Sequence, residues 1–171
     1  VERGLSENRT KAQAVIMSGL VDVNGQRADK PGVSYEETVD IQIRGAACPY
    51  VSRGGLKLEK ALRDFGVHPA DYVCSDSGAS TGGFTDCLLH QGAKKVFAID
   101  VGYGQLAWKL RNDERVVNLE RTNLRYITEE QIPEQLDLAV MDVSFISIRL
   151  VLHAVKRLLK DDADIICLIK T

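Results

Sequence analysis

The chain contains 171 residues, of which 44% are hydrophobic and 27% are charged, and its formal net charge at pH 7 is −2. A chain of this length buries about two thirds of its unfolded surface, enough for one globular domain and a small second module. Because the chain as a whole is not basic, any site for a polyanion must be local. The apolar run at residues 165–169 is too short to span a membrane. No signal-peptide pattern is visible, so we expect a cytoplasmic protein.

The cysteines and histidines show no spacing typical of a metal site or a disulfide framework. No C-x-x-C pair occurs, and Cys74 and Cys167 lie inside apolar runs. The sequence therefore predicts buried thiols in a reducing compartment and no bound metal.

Residues 1–45 have the pattern of a small α+β module. Apolar residues recur at helical spacing between Asn8 and Gly19, which predicts an amphipathic helix. The Asn24-Gly25 pair then predicts a hairpin turn, and a later alternating strand surrounds Ile41. The basic residues of this module are offset by a similar number of acids, so a solvated surface is the simplest interpretation of them.

The stretch ERGLSENRTKAQAVIMSGLVDVNGQRADKPG, residues 2–32, resembles the small RNA-binding module named after ribosomal protein S4. The resemblance extends over nearly the whole segment. It implies binding of structured RNA through phosphates and shape, with an RNA face formed by Arg9, Lys11, Arg27 and Lys30. The opening Arg-Leu-Asp turn of that family has no counterpart here, which indicates an incomplete N-terminus.

A small linker at residues 46–53 leads into an alternating region, residues 54–171. From Tyr72 onward, short apolar strands alternate with helical segments, including a helix that begins at Thr128 and another that extends to Lys160. This alternation predicts an α/β fold with a doubly wound, mostly parallel sheet of the Rossmann-like type.

The stretch YVCSDSGASTGGFTD, residues 72–86, has the order strand, tight loop, helix. Its glycines would let the backbone approach a polar ligand closely. The spacing after Gly78 fits neither the dinucleotide pattern G-x-G-x-x-G nor a P-loop, which needs Gly-Lys-Ser/Thr. From the loop alone, a ligand cradle and a close turn without a ligand are equally good interpretations.

Polar residues stand at the ends of four predicted strands. Asp76 ends the first strand, Asp100 the second and Asp142 the fourth, and Asn123 lies just after the third. Each could by itself be a helix cap or a turn residue. In doubly wound sheets, however, ligands bind beyond the carboxyl ends of the strands. Four such residues together therefore favour a ligand site.

The motifs SRGGLKL, DSGASTGGFTD, AIDVGYGQL, DVSFIS and LIK recur in order over residues 52–170. They closely resemble the TlyA family, also called the haemolysin A family, which joins the S4-type module to an FtsJ-type methyltransferase. The resemblance implies methyl transfer from S-adenosylmethionine to ribose 2′-hydroxyls of ribosomal RNA. In the implied cofactor site, Asp100 holds the ribose hydroxyls, Asn123 the adenine edge and the glycine loop the methionine end. The implied cofactor residues are Asp76, Gly78, Ser80, Gly82, Gly83, Asp100 and Asn123.

FtsJ-type enzymes use a Lys-Asp-Lys-Glu set, and the resemblance assigns its first three members to Lys57, Asp142 and Lys170. Lys170 is then the candidate base, while Lys57 and Asp142 position it and the hydroxyl. Without the resemblance, both lysines would be interpreted as exposed surface residues. The glutamate would lie beyond Thr171, so the domain is expected to lack its C-terminal part. Arg53, which lies in a stretch with four basic residues against two acids, is added to the candidate RNA-binding residues.

Three alternatives remain open at this point. A non-catalytic RNA-binding or ribosome-assembly protein would have RNA affinity without methyl transfer. A nucleotide-dependent oxidoreductase fits the alternating pattern but not the spacing of the glycine loop. Membrane lysis, suggested by the haemolysin name, is disfavoured because neither a spanning segment nor a strongly cationic amphipathic helix is present.

Trp108 and Phe84 are expected to pack in the core or against loops rather than to stack on bases.

Overall fold

A computed structural model describes residues 1–44, 48–143 and 148–169. The chain divides into two compact units, Val1–Pro49 and Tyr50–Thr171. Lys170, the candidate base, lies outside the described residues.

In its described residues, 1–44 and 48–49, the first unit contains one helix and an antiparallel sheet. Its elements are α1 (Arg9–Met17), β1 (Val21–Val23), β2 (Gln26–Ala28) and β3 (Ile41–Ile43). Asn8 caps α1, because its side chain accepts a hydrogen bond of 2.9 Å from the Lys11 backbone N–H. Strand β1 pairs with both β2 and β3, and Asn24 and Gly25 take positive φ angles of 48° and 78° in the β1–β2 turn. The predicted helix and hairpin are confirmed.

The second unit is a parallel sheet with helices on both faces. Its elements are α2 (Gly54–Phe65), β4 (Val73–Ser77), α3 (Gly83–His90), β5 (Lys95–Ile99), α4 (Trp108–Arg111), β6 (Val116–Leu119), β7 (Leu136–Met141), α5 (Ile148–Lys156) and β8 (Leu159–Cys167). The strand order is β6-β5-β4-β7-β8, and every pair is parallel. The predicted fold class is therefore confirmed.

The core lies on both sides of the central strands. On one face, Leu58 of α2 and Leu88 of α3 belong to one buried cluster; on the other, Val151 and Val155 of α5 belong to a second. All five residues of β4 are buried, as expected for the central strand of a sheet covered on both faces. Cys74 and Cys87 are buried as predicted, whereas Cys167 is only partly buried and Cys48 is exposed, so the prediction of buried thiols was wrong for these two. Burial raises the pKa of the Cys74 thiol to about 12.

Two predicted helices differ from the structure. No helix begins at Thr128; a single turn forms there, in which the Ile132 N–H donates to the Thr128 carbonyl at 3.1 Å. Pro133 follows directly and lacks an N–H, so the turn cannot propagate. The later helix ends at Lys156 instead of Lys160, because the chain turns and joins the sheet.

The structure confirms the predicted packing for Phe84 but not for Trp108. Phe84 is 6% exposed and packs in the core, as predicted. Trp108 is 78% exposed, so its prediction was wrong. It opens α4, a helix of four residues whose single buried residue is Leu110, and a helix this short has no second core-facing position for the indole. Within the ranges described above, no helix has the length and apolar character needed to cross a membrane.

Candidate active site

Two adjoining cavities lie beyond the carboxyl ends of β4, β5 and β7. The larger has a volume of about 580 Å³, and Asp100, Gln105 and Asn123 are among its lining residues. The smaller has a volume of about 210 Å³ and is lined by Lys57 and Asp76, among others. Gly78, Ser80 and Asp142 line both cavities. The glycine loop therefore lies between the two cavities and contributes to the lining of both.

In the larger cavity, Asp100 holds two backbone segments in place. One carboxylate oxygen accepts from the Ser80 N–H at 2.7 Å, and the other accepts from the Gly102 N–H at 2.7 Å. The Asn123 side chain accepts from the Arg125 N–H at 3.1 Å. Each carboxylate oxygen has two lone pairs, so Asp100 retains acceptor capacity towards the cavity.

The glycine loop lies against the carboxyl ends of β5 and β7. Backbone N–H groups of Gly78 and Ala79 both donate to the Ile99 carbonyl, at 2.9 and 3.1 Å. Gly78 has a φ of 81°, and a Cβ added there would lie 2.7 Å from the Asp142 carbonyl oxygen. Only glycine fits this position, both for its backbone conformation and for the close approach of β7.

We expect Gly78→Ala to lower the free energy of unfolding by about 2–4 kcal/mol, because strain and a backbone clash add. Gly66→Ala is the matched control: Gly66 has a φ of 68°, but a Cβ there would meet nothing within 4 Å. The control should cost only about 1 kcal/mol. Urea unfolding curves of the two variants measure the difference, and equal losses would contradict the close approach at Gly78.

The other two glycines of the loop are required by packing within the chain. Gly82 lines neither cavity, and a Cβ there would overlap the side chain of Leu110. Gly83 lines the smaller cavity, and a Cβ there would collide with the Ser52 hydroxyl and lie 3.0 Å from the Gly55 nitrogen. The beginnings of α2 and α3 thus touch with no room for a methyl group.

Asp76 is fully buried beside the smaller cavity. Its Oδ2 accepts from both the backbone N–H and the hydroxyl of Thr85, at 2.9 and 2.7 Å. Its Oδ1 is buried and has no hydrogen-bond partner among the described residues. Burial raises the pKa of Asp76 to about 7. The hydrogen bonds from Thr85 oppose this increase, and the nearby charges of Asp142 and Asp100 add to it.

This pKa predicts how stability depends on pH. Because the folded-state pKa of Asp76 lies above its unfolded value, the folded chain binds more protons between about pH 4 and 7, and stability falls as pH rises through that range. Asp76→Asn keeps the shape of the protonated side chain. In protein without ligand, we expect the variant to exceed the wild type in Tm by an amount that grows from pH 5 to pH 8. The exposed Asp64→Asn should show no such growth, and parallel Tm curves for Asp76→Asn would contradict the raised pKa.

Lys57 and Asp142 lie at the same cavity although they are distant in sequence. Lys57 is an exposed residue in the first turn of α2, and Asp142 follows β7, where its backbone N–H donates to the Ser77 carbonyl at 3.0 Å. A lysine and an aspartate that line one cavity can orient a hydroxyl group and assist its deprotonation.

Asp86 is a buried acid to which the sequence interpretation assigned no role. Its Oδ2 accepts from the Val51 N–H at 2.7 Å and forms an ion pair of 2.8 Å with Lys109. It thereby holds the segment before α2 against α3. Gln105 was also missed; it lines the larger cavity and lies 3.3 Å from the Ser80 hydroxyl. The motif AIDVGYGQL contained Gln105, so the sequence did carry a signal for it.

The candidate RNA-binding residues fall in both units. Arg9 and Lys11 are exposed on α1, where Lys11 forms an ion pair with Glu7. The Arg27 guanidinium lies over Gly19 at the end of α1, and Lys30 borders an apolar cavity of about 180 Å³ in the first unit. Arg53 is exposed in the second unit, directly before α2.

The fold is that of a Rossmann-like domain, and its paired cavities lie at the carboxyl edge of the sheet, where doubly wound sheets bind their ligands. Residues 50–171 match the family model described as FtsJ-like methyltransferase, and residues 1–39 match the S4 domain. The chain therefore belongs to the FtsJ-like methyltransferase family.

Named relatives agree with this membership. The protein YqxC of Bacillus subtilis, which carries an rRNA methyltransferase name, is 52% identical over 171 residues, 99% of this chain and 61% of its own length. The 16S/23S rRNA (cytidine-2′-O)-methyltransferase TlyA of Mycobacterium tuberculosis is 48% identical over 99% of this chain and 64% of its own length. A solved structure from Streptococcus thermophilus, named a hemolysin, has a TM-score of 0.75 at 45% identity and covers 99% of this chain and 62% of its own. The resemblance to the TlyA family is confirmed, and the chain spans about three fifths of the length of these relatives.

Proposed function

We propose that the protein transfers a methyl group from S-adenosylmethionine to a ribose 2′-hydroxyl of ribosomal RNA. The observation that carries this proposal is the meeting of two cavities at Gly78, Ser80 and Asp142. One cavity is large enough for a nucleoside, and the other holds Lys57 and the buried Asp76. A cofactor that extends through both would have its reactive centre near Asp142.

The residues present fit this cofactor. Asp100 retains lone pairs that can accept from a ribose diol, and Asn123 lines the same larger cavity, where it can contact an adenine edge. The unpartnered Oδ1 of Asp76 offers an acceptor to a polar group in the smaller cavity. In this proposal Gly78 and Ser80 line the path between the compartments, and Gly82 and Gly83 hold the loop in the conformation that allows it.

When bound, the cofactor supplies a methyl group already activated by its sulfonium. The remaining task of the protein is to align a hydroxyl and to remove its proton. Lys57 and Asp142 lie at the cavity where this must happen. Asp142 orients the hydroxyl, Lys57 stabilises the negative charge that develops on its oxygen, and Lys170 acts as the base.

On the RNA side, residues 1–45 would act as an S4-type module, joined by residues 46–53 to a methyltransferase domain at 54–171. The proposed RNA contacts are Arg9, Lys11, Arg27, Lys30 and Arg53. The name of the Mycobacterium tuberculosis relative specifies 16S and 23S rRNA and a cytidine 2′-oxygen, and we extend that substrate to this protein. Such an enzyme would work in the cytoplasm.

The test is methyl incorporation by the full-length protein. Ribosomal subunits that lack the modification are incubated with tritium-labelled S-adenosylmethionine, and the RNA is digested to nucleosides. Label is expected in a 2′-O-methylated nucleoside, and the prediction from the relative is 2′-O-methylcytidine. RNA binding without incorporation would contradict methyl transfer and support the non-catalytic RNA-binding alternative.

A further inference from the structure

Gln105 lines the larger cavity from an irregular loop, residues 101–107, which joins β5 to α4. Its side-chain oxygen accepts a hydrogen bond of 3.3 Å from the Ser80 hydroxyl. A Cβ added at Gly102 would lie 2.4 Å from the Gln105 side-chain nitrogen and 3.0 Å from Oδ1 of Asp100. The Gln105 amide therefore lies beside the carboxylate to which the proposed function assigns the ribose diol.

Two charged residues hold the peptide groups on either side of Gln105. Glu120, directly after β6, accepts from the Gly104 N–H at 3.0 Å. Arg111, the last residue of α4, donates from Nε to the Leu106 carbonyl at 2.8 Å. The two side chains also form an ion pair with each other, in which 25% of the arginine side chain and 13% of the glutamate side chain are exposed. The ion pair thus fixes both chain neighbours of Gln105.

The ion pair can affect a ligand through this loop rather than by direct contact. Neither Glu120 nor Arg111 is among the residues that line the two cavities. Gly104 has a φ of 73°, and a Cβ there would meet nothing within 4 Å. Because glycine has more accessible conformations than other residues, the loop would sample several of them once the ion pair is lost. Ligand binding would then have to order the loop, which weakens affinity.

We propose that Gln105 contacts the ribose of the bound ligand, and that Glu120 and Arg111 are positioning residues that hold it there. This inference rests on the proposed function, because it takes the ligand to be S-adenosylmethionine. A ribose hydroxyl that donates to Asp100 still has lone pairs, and the Gln105 amide can donate to one of them. The carboxylate and the amide together therefore recognise a hydroxyl as both donor and acceptor.

The experiment is a double-mutant cycle in the full-length protein, measured by calorimetry with S-adenosylhomocysteine. Gln105→Ala and Glu120→Ala should each weaken binding by about 5- to 20-fold. Because the ion pair acts through Gln105, the double variant should bind at most about twofold more weakly than the weaker single variant. Independent effects would multiply to a loss of about 25-fold or more, and that result would overturn the inference.

The contact with ribose is tested with two analogues of S-adenosylhomocysteine, one without the 2′-hydroxyl and one without the 3′-hydroxyl of its adenosine. Gln105→Ala should bind at least one of them within about twofold of the wild type, because the hydroxyl that Gln105 contacts is already missing. Glu120→Ala should lose its effect with the same analogue. Equal weakening of all three ligands would mean a structural role only and would contradict the inference.

Asp137→Ala is the matched control for the ion pair. Like Glu120, Asp137 accepts from a backbone N–H, that of Val73 at 2.8 Å, and pairs with a cation, Lys160, but it holds the start of β4 rather than the loop. Its affinity for S-adenosylhomocysteine should stay within about twofold of the wild type. Thermal unfolding tests whether each variant folds. If Glu120→Ala does not, Arg111→Met removes the other member of the ion pair and replaces it in the cycle, with the same expected values.

The outcomes separate this inference from the proposed function. Wild-type affinity in Glu120→Ala, or an equal loss in Asp137→Ala, would overturn the positioning role and leave the cofactor assignment intact. Failure of the wild type to bind S-adenosylhomocysteine would overturn the cofactor assignment and this inference together.

Discussion

Lys57→Ala is expected to reduce methyl transfer by the full-length protein by about 100-fold or more, since general acid–base and charge-stabilising groups contribute factors of this size. Affinity for S-adenosylhomocysteine should change less than threefold, because none of the hydrogen bonds of Asp100 or Asn123 involves Lys57. Single-turnover transfer of labelled methyl groups and calorimetry measure the two quantities separately.

Lys60→Ala provides the control on the same helix. Lys60 is also exposed on α2, but it forms an ion pair with Asp64 and lines neither of the two cavities. Its removal should leave both transfer and cofactor affinity near the wild-type values. Equal activity of Lys57→Ala and Lys60→Ala would show that Lys57 is an ordinary surface lysine. That is also the interpretation that the sequence supports when the family resemblance is left aside.

Asp100→Ala is expected to weaken S-adenosylhomocysteine by about 100-fold or more, because the change removes two effects at once. The acceptor for a ribose diol is lost. In addition, the N–H groups of Ser80 and Gly102 lose their partner, so the loop segments that line the larger cavity are released. Ser80 has a φ of 50°, a strained conformation that the Asp100 contact helps to hold.

Asp113→Ala is the matched control for this variant. Like Asp100, Asp113 accepts from a backbone N–H, that of Arg115 at 3.0 Å. Unlike Asp100, it forms an ion pair with the Arg115 side chain and lines neither cavity. Calorimetry should find its affinity for S-adenosylhomocysteine within about threefold of the wild type. If Asp100→Ala bound as tightly as Asp113→Ala, the larger cavity would not be the nucleoside site.

Much of the fold follows from local pattern. The period of apolar residues distinguishes strands from helices, and their strict alternation leads to a parallel sheet covered on both faces. Once the sheet is parallel, the ends of its strands share one edge. For this reason Asp76, Asp100, Asn123 and Asp142 could be assigned to one region of space from the sequence.

Among the wrong predictions were a helix that begins at Thr128 and the burial of Trp108, and their physical causes cannot be seen in the spacing of apolar residues. At Thr128 a helical turn does begin, but Pro133 limits it to one turn. Trp108 is hydrophobic and was expected to be covered, yet its four-residue helix buries Leu110 and leaves the indole in solvent. A short helix offers too few positions for composition to reveal which side chain is buried.

The roles of buried acids depend on contacts between distant segments. Asp86 contacts the backbone of Val51, 35 residues earlier in the chain. No local sequence motif predicts such a contact, because it forms only when α2 and α3 pack together. The glycines are similar: Gly83 is needed because Ser52 and Gly55 press against it.

From the order of its residues alone, the chain determines a Rossmann-like sheet, a glycine loop after β4 and four polar residues at one edge of the sheet. Only the tertiary structure decides what those residues can do. The pKa of Asp76 is raised because strands on both sides bury it and bring Asp100 and Asp142 near, while Thr85 satisfies one oxygen and leaves the other beside a cavity. Burial and electrostatic interaction are sums over neighbours in space, and those neighbours are known only when the chain has folded.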